Sequence, residues 1–157
     1  MAFIQDYYPD DFAHCYGCGR LNADGHHVRT TWDGKQAVAR FTPSPVHVSV
    51  PGFVYGGLIA ALIDCHAMGT AAAAAERAAG YEIGARPAPR FVTASLHVEF
   101  LKPTPLGPEL ELRGVADEIS ARKVVVAIEV RAADVVTATG KVVAVRMPET
   151  MRQGPTG

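Results

Sequence analysis

The sequence predicts an α+β domain in which an antiparallel sheet of five or six strands wraps around one long central helix. Two observations support this class. A single apolar, alanine-rich stretch has helical spacing, and valine-rich stretches with turn signals lie on both sides of it. A helix that is apolar on most sides must be buried, and an antiparallel sheet has one apolar face to cover it.

The predicted elements follow in chain order. Residues 26–41 predict a β-hairpin, because Asp33-Gly34 is a two-residue turn that favours positive φ. Residues 55–79 predict the helix, since apolar residues recur at helical spacing (Leu58, Ile59, Leu62 and Ile63) and Gly80 can end it in a left-handed conformation. Residues 91–102, 109–116, 123–132 and 135–147 predict strands. In the first of these strands, Ala94, Leu96, Val98 and Phe100 should share one face. This order of elements is that of the hotdog fold.

Length and composition indicate one domain with two appendages. The chain has 157 residues, and 48% of them are hydrophobic, which is enough for a core. We divide it into an N-terminal arm (residues 1–25), the hotdog domain (26–147) and a flexible tail (148–157).

Charge and hydropathy exclude several classes. Lys and Arg number 15 and Asp and Glu 16, so the chain has no excess of basic residues for general binding to nucleic acid. No uninterrupted apolar run approaches the roughly 20 residues that span a bilayer. The N-terminus has no basic segment of the kind that begins a secretory signal. We therefore expect a soluble cytoplasmic protein with no nucleic-acid or membrane partner.

Gly56 and Gly57 open the predicted helix. The first N–H groups of a helix have no intrahelical partner and lie at the positive end of its dipole. Glycine lets a ligand oxygen approach the backbone closely, so this helix start could hold a developing oxyanion. The alternative is that the glycines only permit tight packing of helix against sheet.

Asp64 lies seven residues after Gly57, on nearly the same helix face. A carboxylate among apolar neighbours is costly to bury without a partner, so Asp64 is a candidate general base or nucleophile. The alternative is a structural residue that hydrogen-bonds to the sheet. Because about 10 Å of helix separates the two positions, one carbonyl group cannot use both within one chain. A two-fold dimer with antiparallel helices would bring them together.

The three cysteines suggest a reduced protein. Cys15, Cys18 and Cys65 are an odd number, and without a secretory signal we expect no disulfide. Cys15 and Cys18 are spaced like half a zinc site and lie near histidines 14, 26 and 27, but a second pair is missing. We predict no metal and no cofactor, an anchoring role for the paired cysteines, and a packed thiol at Cys65.

Several stretches resemble one family. Tyr55-Gly56-Gly57 followed by Asp64 resembles the signature of the phenylacetic-acid-degradation type (PaaI-like) hotdog thioesterases, His-Gly-Gly and then an acidic residue on the same helix. Residues 93–103 resemble the family's strand and aromatic-x-x-Pro turn, and residues 15–25 (CYGCGRLNADG) are similar to a cysteine-rich lead-in of one branch. The likeness covers residues 15–147.

The resemblance implies an acyl-CoA thioesterase that acts as a homodimer or a homotetramer built from dimers. Gly57 N–H would polarise the thioester carbonyl, Asp64 of the neighbouring subunit would activate water or attack the acyl carbon, and Thr93 would position the water. Tyr55 departs from the family's His and could replace it with its hydroxyl. The predicted substrate-binding residues are Tyr55, Gly56, His66 and Arg90.

The sequence leaves the ligand partly open. Basic candidates for the CoA phosphates are Arg86, Arg90, Lys102, Arg122 and Lys123, and the acyl group is not specified. One alternative is an acyl-CoA binder without hydrolysis, which Tyr55 favours. Another is an enoyl-CoA hydratase, which needs a His paired with an acid on the helix. The helix offers only His66, which points about 200° away from Asp64.

Overall fold

The computed structural model describes residues 1–152 and 154, and a six-stranded antiparallel sheet wraps around one long helix. The strands are β1 (Thr30–Trp32), β2 (Ala37–Phe41), β3 (Phe91–Phe100), β4 (Leu110–Ile119), β5 (Lys123–Ala132) and β6 (Val135–Arg146). The helices are α1 (Gly56–Ala78) and the short α2 (Glu149–Arg152). The strand order is β1-β2-β4-β5-β6-β3, so β1 and β3 are the edges. The predicted class and hotdog arrangement are confirmed.

α1 forms the centre of the core. Leu58, Leu62 and Ile63 are fully buried, and every residue from Cys65 to Glu76 is buried as well. Burial of each large aliphatic side chain contributes about 1.5–3 kcal/mol. By length and composition α1 could cross a membrane, contrary to the expectation from uninterrupted apolar runs, but the sheet and arm bury most of it.

The hairpin of β1 and β2 is confirmed, but its turn is longer than predicted. The strands are joined by residues 33–36, and the Asp33 carboxylate accepts hydrogen bonds from the backbone N–H groups of Lys35 and Gln36 at 2.9 Å each. Gly34 has the expected positive φ of 104°. The Asp33 N–H donates to the Gln36 carbonyl at 3.0 Å, and the paired strands end at Trp32 and Ala37. Four residues therefore join the strands, and the two-residue turn at Asp33-Gly34 was wrong.

β3 contains a bulge at Ala94 that changes which residues face α1. Leu96, Val98 and Phe100 lie opposite buried residues of β6 and share the helix-facing side, as predicted. The register shifts between Thr93 and Ser95, and Thr93 also lies opposite a buried residue of β6. Thr93 therefore faces α1, and Ala94 is the extra residue, so its predicted place in the alternation was wrong.

The N-terminal arm packs as part of the core. It contains two short 3-10 helices, Ile4–Tyr7 and Asp10–Phe12. Ile4, Tyr8 and Cys18 are at most 3% exposed. The arm is therefore not a loose cover but one wall around α1.

The tail is partly ordered. Glu149–Arg152 forms α2, and the Arg152 guanidinium lies 5.6 Å from the centroid of the Phe12 ring. The flexibility predicted for residues 148–157 stays a prediction. The same prediction for residues 153 and 155–157 lies outside the described residues.

Gly140 of β6 allows α1 to approach the sheet closely. A Cβ atom at this position would lie 2.4 Å from Cγ2 of Ile63. We expect Gly140→Ala to lower the free energy of unfolding by about 1–3 kcal/mol, because the β-branched Ile63 cannot move away without shifting the helix. Urea denaturation measures the effect. Lys141→Ala, the exposed next residue of β6, is the matched control. Equal stability of the two variants would contradict this packing.

Candidate active site

Asp64 and Thr93 meet on the open side of α1. Asp64 is half-buried in the middle of α1, and the Thr93 hydroxyl donates a hydrogen bond to its Oδ1 atom. The bulge at Ala94 makes this contact possible, because it turns Thr93 toward the helix. Two of the three predicted catalytic residues therefore lie together in one chain.

The surroundings of Asp64 make it a stronger base than an exposed aspartate. Burial raises the pKa of the Asp64 carboxyl above its ordinary value, and the nearby Cys15 thiol raises it further. The hydrogen bond from Thr93 and the charge of Arg90 lower this pKa and offset part of the effect. A carboxylate with a raised pKa that stays accessible on one side can take a proton from water.

The start of α1 exposes uncapped backbone N–H groups. Tyr55 is in the extended conformation at the N-cap, and its side chain does not cap the helix. Gly57 is exposed, and as the second helical residue it has no intrahelical acceptor for its N–H. This N–H is available to an oxygen atom of a ligand.

Both glycines also have a packing role. A Cβ atom on Gly57 would lie 2.5 Å from Cε2 of Tyr55, and one on Gly56 would lie 3.3 Å from Cζ of Phe100. The glycine pair can therefore serve both as a binding site for an oxygen atom and as a place of close packing. The Tyr55 ring, which is 40% exposed, packs over Gly57 beside the free N–H.

An apolar groove of about 500 Å³ opens beside Gly56. This volume is in the range of sites that take small organic ligands. The exposed rings of Phe53 and Phe100 line it together with Ile59, and Lys102 lies at the same groove. The groove and the free N–H are at one end of the stripe that carries Asp64.

His66 lies in the core instead of the site. It is fully buried, and burial lowers its pKa to about 4. Gln5 Nε2 donates to Thr30 Oγ1 at 3.2 Å, and the Thr30 hydroxyl lies 2.9 Å from His66 Nδ1. His66 is thus a neutral residue that links arm, β1 and α1, and its predicted substrate-binding role does not fit this position.

The basic candidates separate by position. Arg86 makes a double hydrogen bond with the buried carboxylate of Glu76, at 2.8 and 2.9 Å, and so is engaged near the other end of α1. Arg90 is half-buried at the Asp64 end, where its Nη1 donates to the Phe91 carbonyl at 2.8 Å. Of these candidates, Lys102 lies at the groove beside Gly56.

A cluster of three thiols was missed by sequence reasoning. The ligand atoms of Cys15, Cys18 and Cys65 all lie within 4.8 Å of one another, and Cys65 is the residue that follows Asp64 in the chain. The anchoring role predicted for the paired cysteines agrees with their contact with α1. No local pattern indicates that Cys65, 47 residues after Cys18, completes the group.

Comparison with known proteins gives the family. The model of the Thioesterase superfamily matches residues 51–145, which include α1 and β3 to β6. The acyl-coenzyme A thioesterase THEM4 of Xenopus laevis is 31% identical over 100 residues, which are 64% of this chain and 39% of that protein. The chain thus spans about two fifths of the length of this curated relative.

Solved structures agree with this family. A thioesterase superfamily protein from Shewanella loihica PV-4 is 47% identical, with a TM-score of 0.68, over 88% of this chain and 98% of that one. The E. coli PaaI protein shares the fold at 16% identity, with a TM-score of 0.60, over 72% of this chain and 73% of that one. Together with the site geometry, these matches show that the chain belongs to the thioesterase superfamily and has the hotdog fold found in PaaI proteins.

Proposed function

We propose that this protein hydrolyses an acyl-CoA thioester to the free acid and CoA. The observation that carries the proposal is the hydrogen-bonded pair of Asp64 and Thr93. The Asp64 carboxyl has a raised pKa and lies on the same partly exposed face of α1 as the free N–H of Gly57. A thioester needs both groups, since its carbonyl oxygen becomes negative while its carbon is attacked. The curated relative named above is an acyl-coenzyme A thioesterase, which supports CoA as the carrier.

The two groups belong to different subunits in this proposal. Gly57 and Asp64 are about 10 Å apart along α1, too far for one carbonyl group. The side of α1 between them carries only Ala60 and Ala61, which the rest of the chain leaves partly uncovered. The edge strand β3 lies beside it with Leu96 and other apolar side chains exposed. A second copy with its helix antiparallel would cover this face and bring each Gly57 to the partner's acid, giving two equivalent sites.

The chemical steps follow from these positions. The Gly57 N–H donates a hydrogen bond to the thioester oxygen, and Asp64 takes a proton from a water molecule held beside the Thr93 hydroxyl. The hydroxide adds to the acyl carbon, and the tetrahedral oxyanion forms at the helix start, where the dipole favours negative charge. The C–S bond then breaks, and the leaving CoA sulfur takes the proton from Asp64, which restores the carboxylate. Direct attack by the Asp64 carboxylate, followed by hydrolysis of the anhydride, would use the same residues.

The groove beside Gly56 suits the CoA arm. Its apolar rings match the largely uncharged pantetheine chain, and Lys102 can meet a phosphate of the nucleotide. The arm would then enter along β3 and place its sulfur near Gly57. Arg90 lies at the Asp64 end of the stripe, where its charge acts on the carboxylate.

The alternatives differ in what they require. A hydratase needs a histidine in the site, and the one histidine of α1 is fully buried. Binding without hydrolysis remains the second candidate, because Tyr55 stands where the resembling family has His. Turnover separates it from the thioesterase, since a binder would retain acyl-CoA without releasing thiol.

Replacement of Asp64 tests the catalysis. We expect Asp64→Asn to lower kcat/KM by about 10²–10⁴-fold, because an amide cannot take the proton from water. Release of free thiol from a panel of acyl-CoA esters measures the rate. Thr93→Val should cause a smaller loss, and Asp117→Asn, an exposed residue of β4, is the matched control. Full activity of the Asp64 variant would exclude this mechanism, and tight binding without turnover by the unchanged protein would favour the binder.

Mixing two inactive variants tests the shared site. Gly57→Pro removes the proposed N–H donor. Proline is tolerated in the first turn of a helix, and here it would push the exposed Tyr55 ring aside. When Gly57→Pro and Asp64→Asn chains are unfolded together and refolded in equal amounts, half of the dimers should be mixed and have one intact site. We expect about a quarter of the wild-type activity to return.

The control for this experiment refolds each variant alone, which should remain inactive. Circular dichroism and size-exclusion chromatography verify that both variants fold and associate. Correctly assembled mixtures without activity would show that one chain does not supply the acid to another.

A further inference from the structure

The three thiols lie where the N-terminal arm crosses α1, and their spacing suits a metal ion. Cys15 Sγ and Cys65 Sγ are 3.8 Å apart, and Cys18 Sγ lies within 4.8 Å of both. Sulfur atoms bound to one tetrahedral zinc ion at ~2.3 Å are about 3.8 Å apart. The cluster therefore needs little rearrangement to surround an ion.

The turn that carries Cys15 and Cys18 packs directly against the Cys65 thiol. The backbone of this turn is held by hydrogen bonds from the Gly19 N–H to the Cys15 carbonyl at 2.7 Å and from the Val28 N–H to the Gly17 carbonyl at 2.9 Å. A Cβ atom on Gly17 would lie 2.1 Å from Cys65 Sγ, so glycine is required for the turn to rest on that thiol. The thiolate is the form of cysteine that binds metals, and a turn packed against Cys65 holds the three sulfur atoms close together.

The charges around the cluster favour an anionic site. Arg90 is half-buried, its guanidinium lies 5.0 Å from the centroid of the Tyr8 ring, and it forms no ion pair with a carboxylate of residues 1–152 or 154. A guanidinium in such surroundings is costly without a negative partner. Three thiolates and one divalent cation have a net charge of −1, which Arg90 would neutralise.

The Tyr8 hydroxyl is a second observation that points to a ligand. Tyr8 is 2% exposed, and its hydroxyl has no hydrogen-bond partner among the described residues. Its ring lies 5.0 Å from the Arg90 guanidinium, in the same surroundings as the three thiols. Metal-bound thiolates accept hydrogen bonds from groups of this kind around the first ligands.

We propose that Cys15, Cys18 and Cys65 bind one thiophilic divalent cation such as Zn²⁺ and thereby fasten the arm to α1. Within the part of the chain that the structure describes, no further His, Cys, Asp or Glu joins the group, so water completes the tetrahedron. From the sequence we expected no metal, because Cys15 and Cys18 had no second pair of ligands. In the structure Cys65 of α1 supplies a third sulfur atom. This site goes beyond the proposed hydrolysis and does not depend on it.

Cobalt titration of the reduced, metal-free full-length protein tests the proposal. We expect thiolate-to-cobalt absorption in the near ultraviolet and visible bands of tetrahedral Co²⁺, saturating at one ion per chain and lost when Zn²⁺ is added. Each of Cys15→Ser, Cys18→Ser and Cys65→Ser should weaken Co²⁺ binding by about 100-fold or more. This loss is larger than that for a residue that only hydrogen-bonds to a metal ligand. His14→Ala, an exposed neighbour of the turn, is the matched control and should bind as the unchanged protein does.

Thermal unfolding gives a readout that does not depend on the variants. Zn²⁺ should raise the Tm of the unchanged protein, and a chelator should reverse the rise, because an ion bound by arm and helix together favours the folded state. The proposal fails if the fully reduced protein shows no thiolate-to-cobalt band. It also fails if the band persists in the triple serine variant, or if mass spectrometry of the purified protein finds two of the thiols joined as a disulfide.

Discussion

The burial of α1 is the constraint on which the rest of the structure depends. The sheet covers most of the helix, and beyond Asp64 the arm closes the remaining side, with Gly17 against Cys65 and Gln5 against Gly69. Only a narrow stripe of the first half, from Gly57 to Asp64, is left without full cover. The proposed hydrolysis takes place there, because a substrate cannot reach the parts of the helix that packed side chains cover.

The same constraint explains why the site is divided between subunits in the proposed mechanism. A helix has its free N–H groups at one end only, whereas a carboxylate gains a raised pKa only where neighbours bury it, farther along the rod. In this chain the two conditions are met about 10 Å apart. An antiparallel partner removes the separation without any change in either helix, and it also covers the apolar edge at β3. Association and catalysis would then use one surface.

The sequence predicted the elements better than it predicted the contacts between them. The limits of β5 were correct and those of the helix were only one residue too long at each end, because valine content and helical spacing are local signals. Asp64 could be found because a carboxylate stands out on an apolar helix. The bulge at Ala94 could not be predicted, because the apolar alternation of Leu96, Val98 and Phe100 continues to Ala94 in the sequence as if no residue were inserted. This bulge turns Thr93 toward Asp64. The meeting of Cys65 with the arm depends on the path of the chain in space, which no local pattern reports.

The arm connects these features, because it contributes to the environment of the acid. Burial is the main reason that the pKa of Asp64 is raised, and Cys15 of the arm adds to the effect. An arm that moved away would uncover the carboxylate and remove this neighbour, and the acid would become a weaker base. The backbone turn at Gly17 holds the arm against Cys65, the residue next to Asp64. The turn at Gly17 therefore keeps in place part of the burial that raises the pKa of Asp64, and the arm contributes to the proposed site although it lies outside the sheet.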